Sequence, residues 1–339
     1  MNVTAFGEIL LRLSPMNHHQ RIAKTSSLQM AFAGAECNVA ASLALLGHQA
    51  RFVTRLPEHM VGDAALNAVR EFGVDARFVQ RGGKRVGTYF IEHGASLRPT
   101  RITYDREHSA IAEATAEEFD WPTILAGQDW LVATGITPAL SESCSAACRA
   151  AIEEAHRQNV RVAFDLNFRR SLWDREAARQ AIEPLLPHID VLFSNIGSAA
   201  DVFDIQPTQA IHDWDSLVAA TEESATRVFE LANFAYVALT VREHPSASEN
   251  GWAGVLYDGK EFYHSRKYHF QVVDRLGGGD AFMAGILHGL SREWDLSKTI
   301  EFATAASAIK HTIPGDINVA SEAEILEVAE GNTSGRVKR

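Results

Sequence analysis

Short apolar runs and stretches of helical periodicity take turns along this chain, and few folds accommodate that order. VTAFGEI precedes ECNVAASLALL, closed by Gly47, and RFVTR precedes DAALNAVREF, closed by Gly73. The exchange continues through DWLVATG, a helix predicted near 141–157, RVAFDLN, a helix near 175–186, VLFSN, a helix near 216–233, and YVALTV. Strands joined through helices must cross over the sheet, which makes neighbouring strands parallel. Runs that are apolar on both faces belong to a sheet covered on both sides. The expected class is α/β, a mostly parallel central sheet flanked by helices, with residues 1–330 as one domain. Two polar, β-leaning stretches, 12–33 and 85–108, interrupt the pattern and are predicted to pair as a small β-sheet lid. The closing GNTSGRVKR, 331–339, reads as a flexible tail.

Composition narrows the partners. Hydrophobic residues make up 46% of the chain and charged residues 22%, which supplies a sizeable core and leaves no room for a long disordered region. The formal net charge of -11 argues against nucleic acid, which needs a basic face, so any bound anion must meet a local positive site. Cys37, Cys144 and Cys148 are an odd set, read as buried small hydrophobes in a reducing compartment. Cys144 and Cys148 lie one helical turn apart, but no His or second Cys pair completes a metal site. VTAFGEILLRL is too short, and too broken by Glu8 and Arg12, to be a membrane span or signal peptide. A cytoplasmic protein without membrane attachment is expected.

The segment richest in chemistry is QVVDRLGGGDAFMAGILHGL, an apolar strand end, a glycine turn and an apolar helix beginning near Asp280. Gly277, Gly278 and Gly279 let backbone N–H groups converge on phosphate oxygens, and the helix adds the positive end of its dipole. The P-loop Lys and Ser/Thr are missing, and the third glycine of a dinucleotide loop would fall on Phe282. A plain tight turn remains the alternative. Asp274 and Asp280 flank the turn, so one carboxylate can hold a hydroxyl-bearing substrate while the other stands beside the phosphoryl group. A carboxylate at a helix N-terminus is stabilised as the anion, which makes Asp280 a weak base or an N-cap, roles that can coexist.

VVDRLGGGDAFMAGI resembles the second signature of the ribokinase-like (PfkB) carbohydrate kinases, an Asp, a turn of small residues and a final catalytic Asp. AFAGAECNVAASLALLG resembles their first signature, in which a glycine pair and an Asn lie near the sugar; Gly34 of the pair and Asn38 are kept. The resemblance covers nearly the whole chain. It implies a ribokinase-like fold and ATP with Mg2+. It further implies that Asp280 activates the hydroxyl, Gly277 to Gly279 hold the transferring phosphate, and Asp274 orients the sugar.

GEILLRLSP, GTYFIEHG, TYDREHSAIA, DLNFR and HTIPGDIN are similar to the family members that phosphorylate the 6-hydroxyl of 2-keto-3-deoxygluconate. Tyr89, Tyr104, Arg106 and Arg169 are candidates to surround the carboxylate of such a sugar acid, since Arg binds carboxylates through paired N–H donors. Asn167 is expected to face the substrate beside Arg169. The competing readings are a surface salt bridge for Arg169 and packing in the lid for the tyrosines. The family's Asn-x-x-Glu element is Asn195, Ile196, Gly197 and Ser198 here, so its Glu is missing and the metal ligands stay unassigned. Asn195, with Asp201 further along, is a candidate for the water shell of magnesium. Thr240, Arg242 and Thr304 are expected around the nucleotide, and the long REHPSASENGWAG forms either an excursion over adenine or a surface loop. Rival functions are a kinase for another sugar such as fructose, a sugar-binding relative without catalysis, and a dinucleotide-dependent oxidoreductase, which AGAECNVA does not support. The exposed edges of a lid sheet predict a homo-oligomer formed through it.

Overall fold

The structure, a computed structural model, describes residues 1–333. The tail expected at 331–339 lies outside them from 334 onward. The main sheet runs Phe262–His264, Glu249–Tyr257, Tyr236–Glu243, Val191–Ser194, Arg161–Asp165, Trp130–Thr134, Asn2–Phe6 and Gln49–Val53, with Tyr268–Gln271 also pairing Glu249–Tyr257. From Tyr236–Glu243 to Gln49–Val53 every pairing is parallel; the strands beyond Tyr236–Glu243 are antiparallel.

Alternating residues of each strand supply two cores. Leu131, Ala133, Val162 and Phe164 pack against helix Glu142–Arg157, which turns Cys144, Ala147, Cys148 and Ala151 inward. Trp130, Val132, Ala163 and Val191 belong to the other face, with Val39 and Leu43 of Ala35–Leu45 and Met283 and Ile286 of Gly278–Ser291. The three cysteines are free and buried, as the odd count suggested. Caps fix the helix starts: Ser141 accepts from the Cys144 N–H at 3.0 Å, and Asp295 from Lys298 at 2.9 Å. Gly47 and Gly73 close their helices in the left-handed region, at φ 86° and 77°.

The lid is a separate four-stranded sheet, ordered Leu28–Ala33, Leu10–Pro15, Thr88–Glu92 and Arg101–Asp105. Its two central strands are parallel and its outer pairings antiparallel. Leu10, Tyr89 and Ile91 pack with Leu276 of the glycine turn, so the lid sits over that turn. Among the described residues no helix is long and apolar enough to cross a membrane.

Candidate active site

Between lid and main sheet opens a cavity of about 600 Å³, at the carboxyl ends of the parallel strands. Sheets of this kind place ligands there, because loops diverge beyond the strand ends and leave a crevice. Asp165, Asn167, Arg169, Ser194 and Asn195 enter it from those ends, and the glycine turn forms its floor.

The helix after the turn begins at Gly278, two residues earlier than the sequence suggested, so Asp280 sits in its first turn and is not the N-cap. The first intrahelical bond runs from the Ala281 N–H to the Gly277 carbonyl at 2.9 Å, which leaves the N–H groups of 278–280 without helical partners. Gly277 requires φ 79°, and a side chain there would collide with the Asp316 carbonyl; at Gly278 one would strike the His311 ring. A Cβ at Gly279 would meet open space. The turn therefore presents bare backbone donors to the cavity.

Asn38, from helix Ala35–Leu45, donates its side-chain N–H to Asp280 Oδ2 at 2.7 Å and accepts from the Gly34 N–H at 3.3 Å. This holds Asp280 in one orientation. The helix terminus was expected to keep Asp280 firmly ionised. Burial instead pushes its carboxyl up to about 7, against the Asn38 hydrogen bond and reinforced by Asp165, Asp316 and Glu36. The helix dipole loses to desolvation and neighbouring acids. The carboxyl is therefore more basic than a helix terminus alone would make it.

Asp274 does not face the sugar. It is 1% exposed, lies outside the cavity lining and pairs with Arg12 of the lid at 2.5 Å. It also accepts from the Gly315 and Leu276 N–H groups at 3.0 and 3.2 Å. Arg12 bridges on to Asp316, which takes the Tyr89 hydroxyl at 2.8 Å and lines the cavity. Burial pushes Asp274 up, but Arg12 and Lys310 outweigh it and hold the carboxyl below its ordinary value. The first acid of the motif thus anchors the lid to the turn.

Of the residues predicted to bind the sugar, Gly34, Asn38, Tyr89, Tyr104, Arg106, Asn167 and Arg169 all line the cavity. Arg106 is spoken for, because Glu8 takes its guanidinium, with Nε at 2.8 Å, and the Ser109 hydroxyl as well. Arg169 has no carboxylate in ion-pair range among the described residues. The backbone at Asn167 is left-handed, φ 36°, and its N–H donates to Asp165 at 3.0 Å. Burial pushes Asp165 up to about 6.

Of those predicted around the nucleotide and its magnesium, Asn195, Thr240 and Arg242 line the cavity, joined by Trp252, Arg275 and His311, which sequence reasoning missed. Arg242 Nε is buried with no hydrogen-bond partner. Burial and the nearby Arg275 lower that guanidinium to about 10. Buried donors without partners are rare. Thr304 is a correction: it is fully buried, donates to the Ile300 carbonyl at 2.8 Å and packs behind Gly254, outside the cavity. Asp201 is another, since Arg170 and Arg175 hold it and it does not reach the cavity. Asn195 caps its helix by accepting from Ser198 N–H at 3.0 Å. The excursion over adenine is not formed, because 249–251 continue a strand paired with 269–271, and Gly251 also pairs with Glu243. The turn before it reaches the lid, where the Ser96 N–H donates to Ser248 at 2.8 Å, while Arg275 grips the carbonyls of Ser246 and Ala247.

Glu8, Arg12 and Asp316 could have been found in GEILLRLSP and HTIPGDIN, segments already singled out. Arg275, Trp252 and His311 also lie in quoted segments, VVDRLGGGDAFMAGI, REHPSASENGWAG and HTIPGDIN, but only tertiary packing brings them to one end of the cavity.

Residues 1–323 match the family model described as pfkB family carbohydrate kinase. A 2-dehydro-3-deoxygalactonokinase of Haloferax volcanii is 31% identical over 333 residues, covering 98% of each chain. The crystal structure of 2-dehydro-3-deoxygluconokinase from Thermotoga maritima is 42% identical, with a TM-score of 0.94 and 98% of this chain and 100% of that one covered. An Escherichia coli chain solved with ATP and Mg2+ is 18% identical, at a TM-score of 0.81 over 98% of this chain and 99% of that one, and shows the ribokinase-like fold alone. With a glycine turn, an acid beside it and a sugar-sized crevice in place, the chain belongs to the pfkB family of carbohydrate kinases, which phosphorylate a sugar hydroxyl.

Proposed function

We propose that the chain transfers the terminal phosphoryl group of ATP to the 6-hydroxyl of 2-keto-3-deoxygluconate, giving 2-keto-3-deoxy-6-phosphogluconate and ADP. The observation that carries this is Asp280, held by Asn38 in a cavity also lined by Arg169, which has no ion-pair partner among the described residues, and by Arg242, whose buried Nε has no hydrogen-bond partner. Relatives named for sugar acids of this kind support the substrate.

Arg169 and the Tyr104 hydroxyl receive the sugar carboxylate, while Arg106 keeps its pairing with Glu8 and shapes the wall. Asp280 accepts the hydroxyl proton as the oxygen attacks phosphorus, and the N–H groups of 278–280 stabilise charge on the transferring oxygens. Positioning and charge stabilisation supply most of the rate in phosphoryl transfer. ATP is placed at the Arg242 end of the cavity, where the buried Arg242 Nε has no hydrogen-bond partner. No group of three or more His, Cys, Asp or Glu that could hold a metal occurs among the described residues. Magnesium would be carried chiefly by the nucleotide's own oxygens, where it would neutralise phosphate charge, and Asn195 is the cavity residue that would face its water shell.

The test is a coupled assay on a panel of sugars, repeated with Arg169→Leu. The keto-deoxy acid is expected to be the best substrate, and Arg169→Leu to raise its KM about 10- to 100-fold while leaving neutral sugars unchanged. Turnover of fructose or ribose with none of the keto-deoxy acid refutes the substrate. We also propose a cytoplasmic homodimer formed through the outer face of the lid, where Met16 and Met30 are 63% and 57% exposed. A monomer by light scattering at assay concentration overturns it.

A further inference from the structure

Lys310, the last residue of helix Leu296–Lys310, is fully buried. A lysine at a helix end ordinarily carries its ammonium out to water. Here the side chain runs inward, with Nζ 3.4 Å from the Asp274 carbonyl and 3.3 Å from the Ile313 carbonyl. It has no carboxylate in ion-pair range among the described residues. Burying an ammonium on two carbonyls alone is costly, so its place in the fold needs a reason.

The two carbonyls belong to the two turns that build the floor of the site. Asp274 opens the glycine turn. Ile313 opens the neighbouring turn, whose Gly315 N–H binds Asp274 and whose Asp316 carbonyl abuts Gly277. The next residue continues the bracing, since the His311 carbonyl accepts from the Val273 and Asp274 N–H groups at 2.8 and 3.1 Å. We propose that Lys310 is a positioning residue for phosphoryl transfer, its buried ammonium joining the two turns that carry the glycine cradle and Asp316. The proposal rests on the reading of Asp280 as base.

The charges around it are mostly acidic. Asp274, Asp316 and Asp280 face the ammonium from the two turns and the following helix, and Arg12 is the other cation, facing it from the lid. Asp280 in turn faces Asn38, Asp165, Asp316 and Glu36 from the remaining elements. Burial lowers the Lys310 ammonium and the three acids oppose that. With the lysine removed, Asp280 keeps its acidic neighbours and loses a cation, so it holds its proton to higher pH.

The experiment compares Lys310→Met and Lys310→Gln in the full chain, after a thermal melt verifies folding, with ATP and the best sugar of the panel. Both variants are expected to lose about 10- to 100-fold in kcat with sugar KM changed less than about threefold. The acidic limb of the kcat profile is expected to rise by about one pH unit in both. Lys310→Gln, which still donates to the two carbonyls, is expected to recover part of kcat without moving the limb back. A limb unmoved in both folded variants, or a loss confined to KM, overturns the proposal. If neither folds, 15N NMR of the lysine-labelled native chain decides: a solvent-protected ammonium at pH 8 supports it, and a neutral amine there overturns it. Asp280→Asn runs in parallel. If that variant keeps turnover, the base reading fails; if it is dead while the limb stays put, Lys310 alone fails.

Discussion

Asp274 and Asp280 stand at the two shoulders of one glycine turn, and the molecule uses them in opposite ways. Asp274 is sealed, with Arg12 at 2.5 Å and two backbone N–H groups on its oxygens. Asp280 opens on the cavity with the neutral amide of Asn38 as its partner and further acids around it. Burial disfavours the anion at both. The difference lies in counter-charge, which overcomes burial at Asp274 and does not overcome it at Asp280. An acid that is fully satisfied holds structure, and an acid left wanting a proton is available for chemistry.

The sharpest way to break this contrast is to neutralise each acid in turn. Asp280→Asn is expected to lower kcat about a thousandfold with sugar binding retained, the scale of a lost general base. Equal turnover in a coupled assay would sink the assignment. Asp274→Asn is expected to act on stability, lowering it by about 3 kcal/mol, because a buried ion pair loses one member while Arg12 keeps only Asp316. Denaturant unfolding measures that, and kcat per folded molecule should stay within about tenfold. A dead but fully stable Asp274→Asn enzyme reverses the two roles.

A finer test uses pH. With the Asp280 carboxyl at about 7, kcat is expected to fall about tenfold per unit on the acid side of that value, as the base becomes protonated. A flat profile down to pH 5 contradicts the raised value. The smallest effect concerns stability. The folded chain holds a proton on Asp280 up to about 7 where an ordinary Asp releases it near 3.8, so stability falls as pH rises through that window. At pH 8 Asp280→Asn is therefore expected to melt a few degrees above the native chain, whereas Asp274→Asn melts below it. Calorimetry at pH 8 and pH 5 separates them, since the gain at Asp280 should shrink at the lower pH.

Much of this site was legible before any coordinates. The glycine turn, Asp280, Asn38 and Arg169 sit in local patterns whose chemistry depends on residue type and spacing. The stretches 12–33 and 85–108 take in the strands Leu28–Ala33, Thr88–Glu92 and Arg101–Asp105, while Leu10–Pro15 begins two residues before them, because a segment without helical period shows its strand character but not its ends. Asp274 was misplaced because its partner Arg12 lies 262 residues away in sequence. Arg106 does line the cavity, but its pairing with Glu8, 98 residues distant, is likewise a contact that no local pattern shows. Thr304 lies on a helix buried all round, where periodicity does not say which face meets a ligand.

The order of apolar runs, helix starts and glycines, read along the chain, determined the layered sheet, the position of the anion cradle and the presence of an acid beside it. These are local matters, set by backbone geometry and side-chain patterning within a few residues. The tertiary structure alone decided which acid is neutralised, which arginine is free and which lysine lies beneath the turn. Those outcomes depend on burial and on charges brought together from distant segments, and a Coulomb interaction takes account of distance in space, not in sequence.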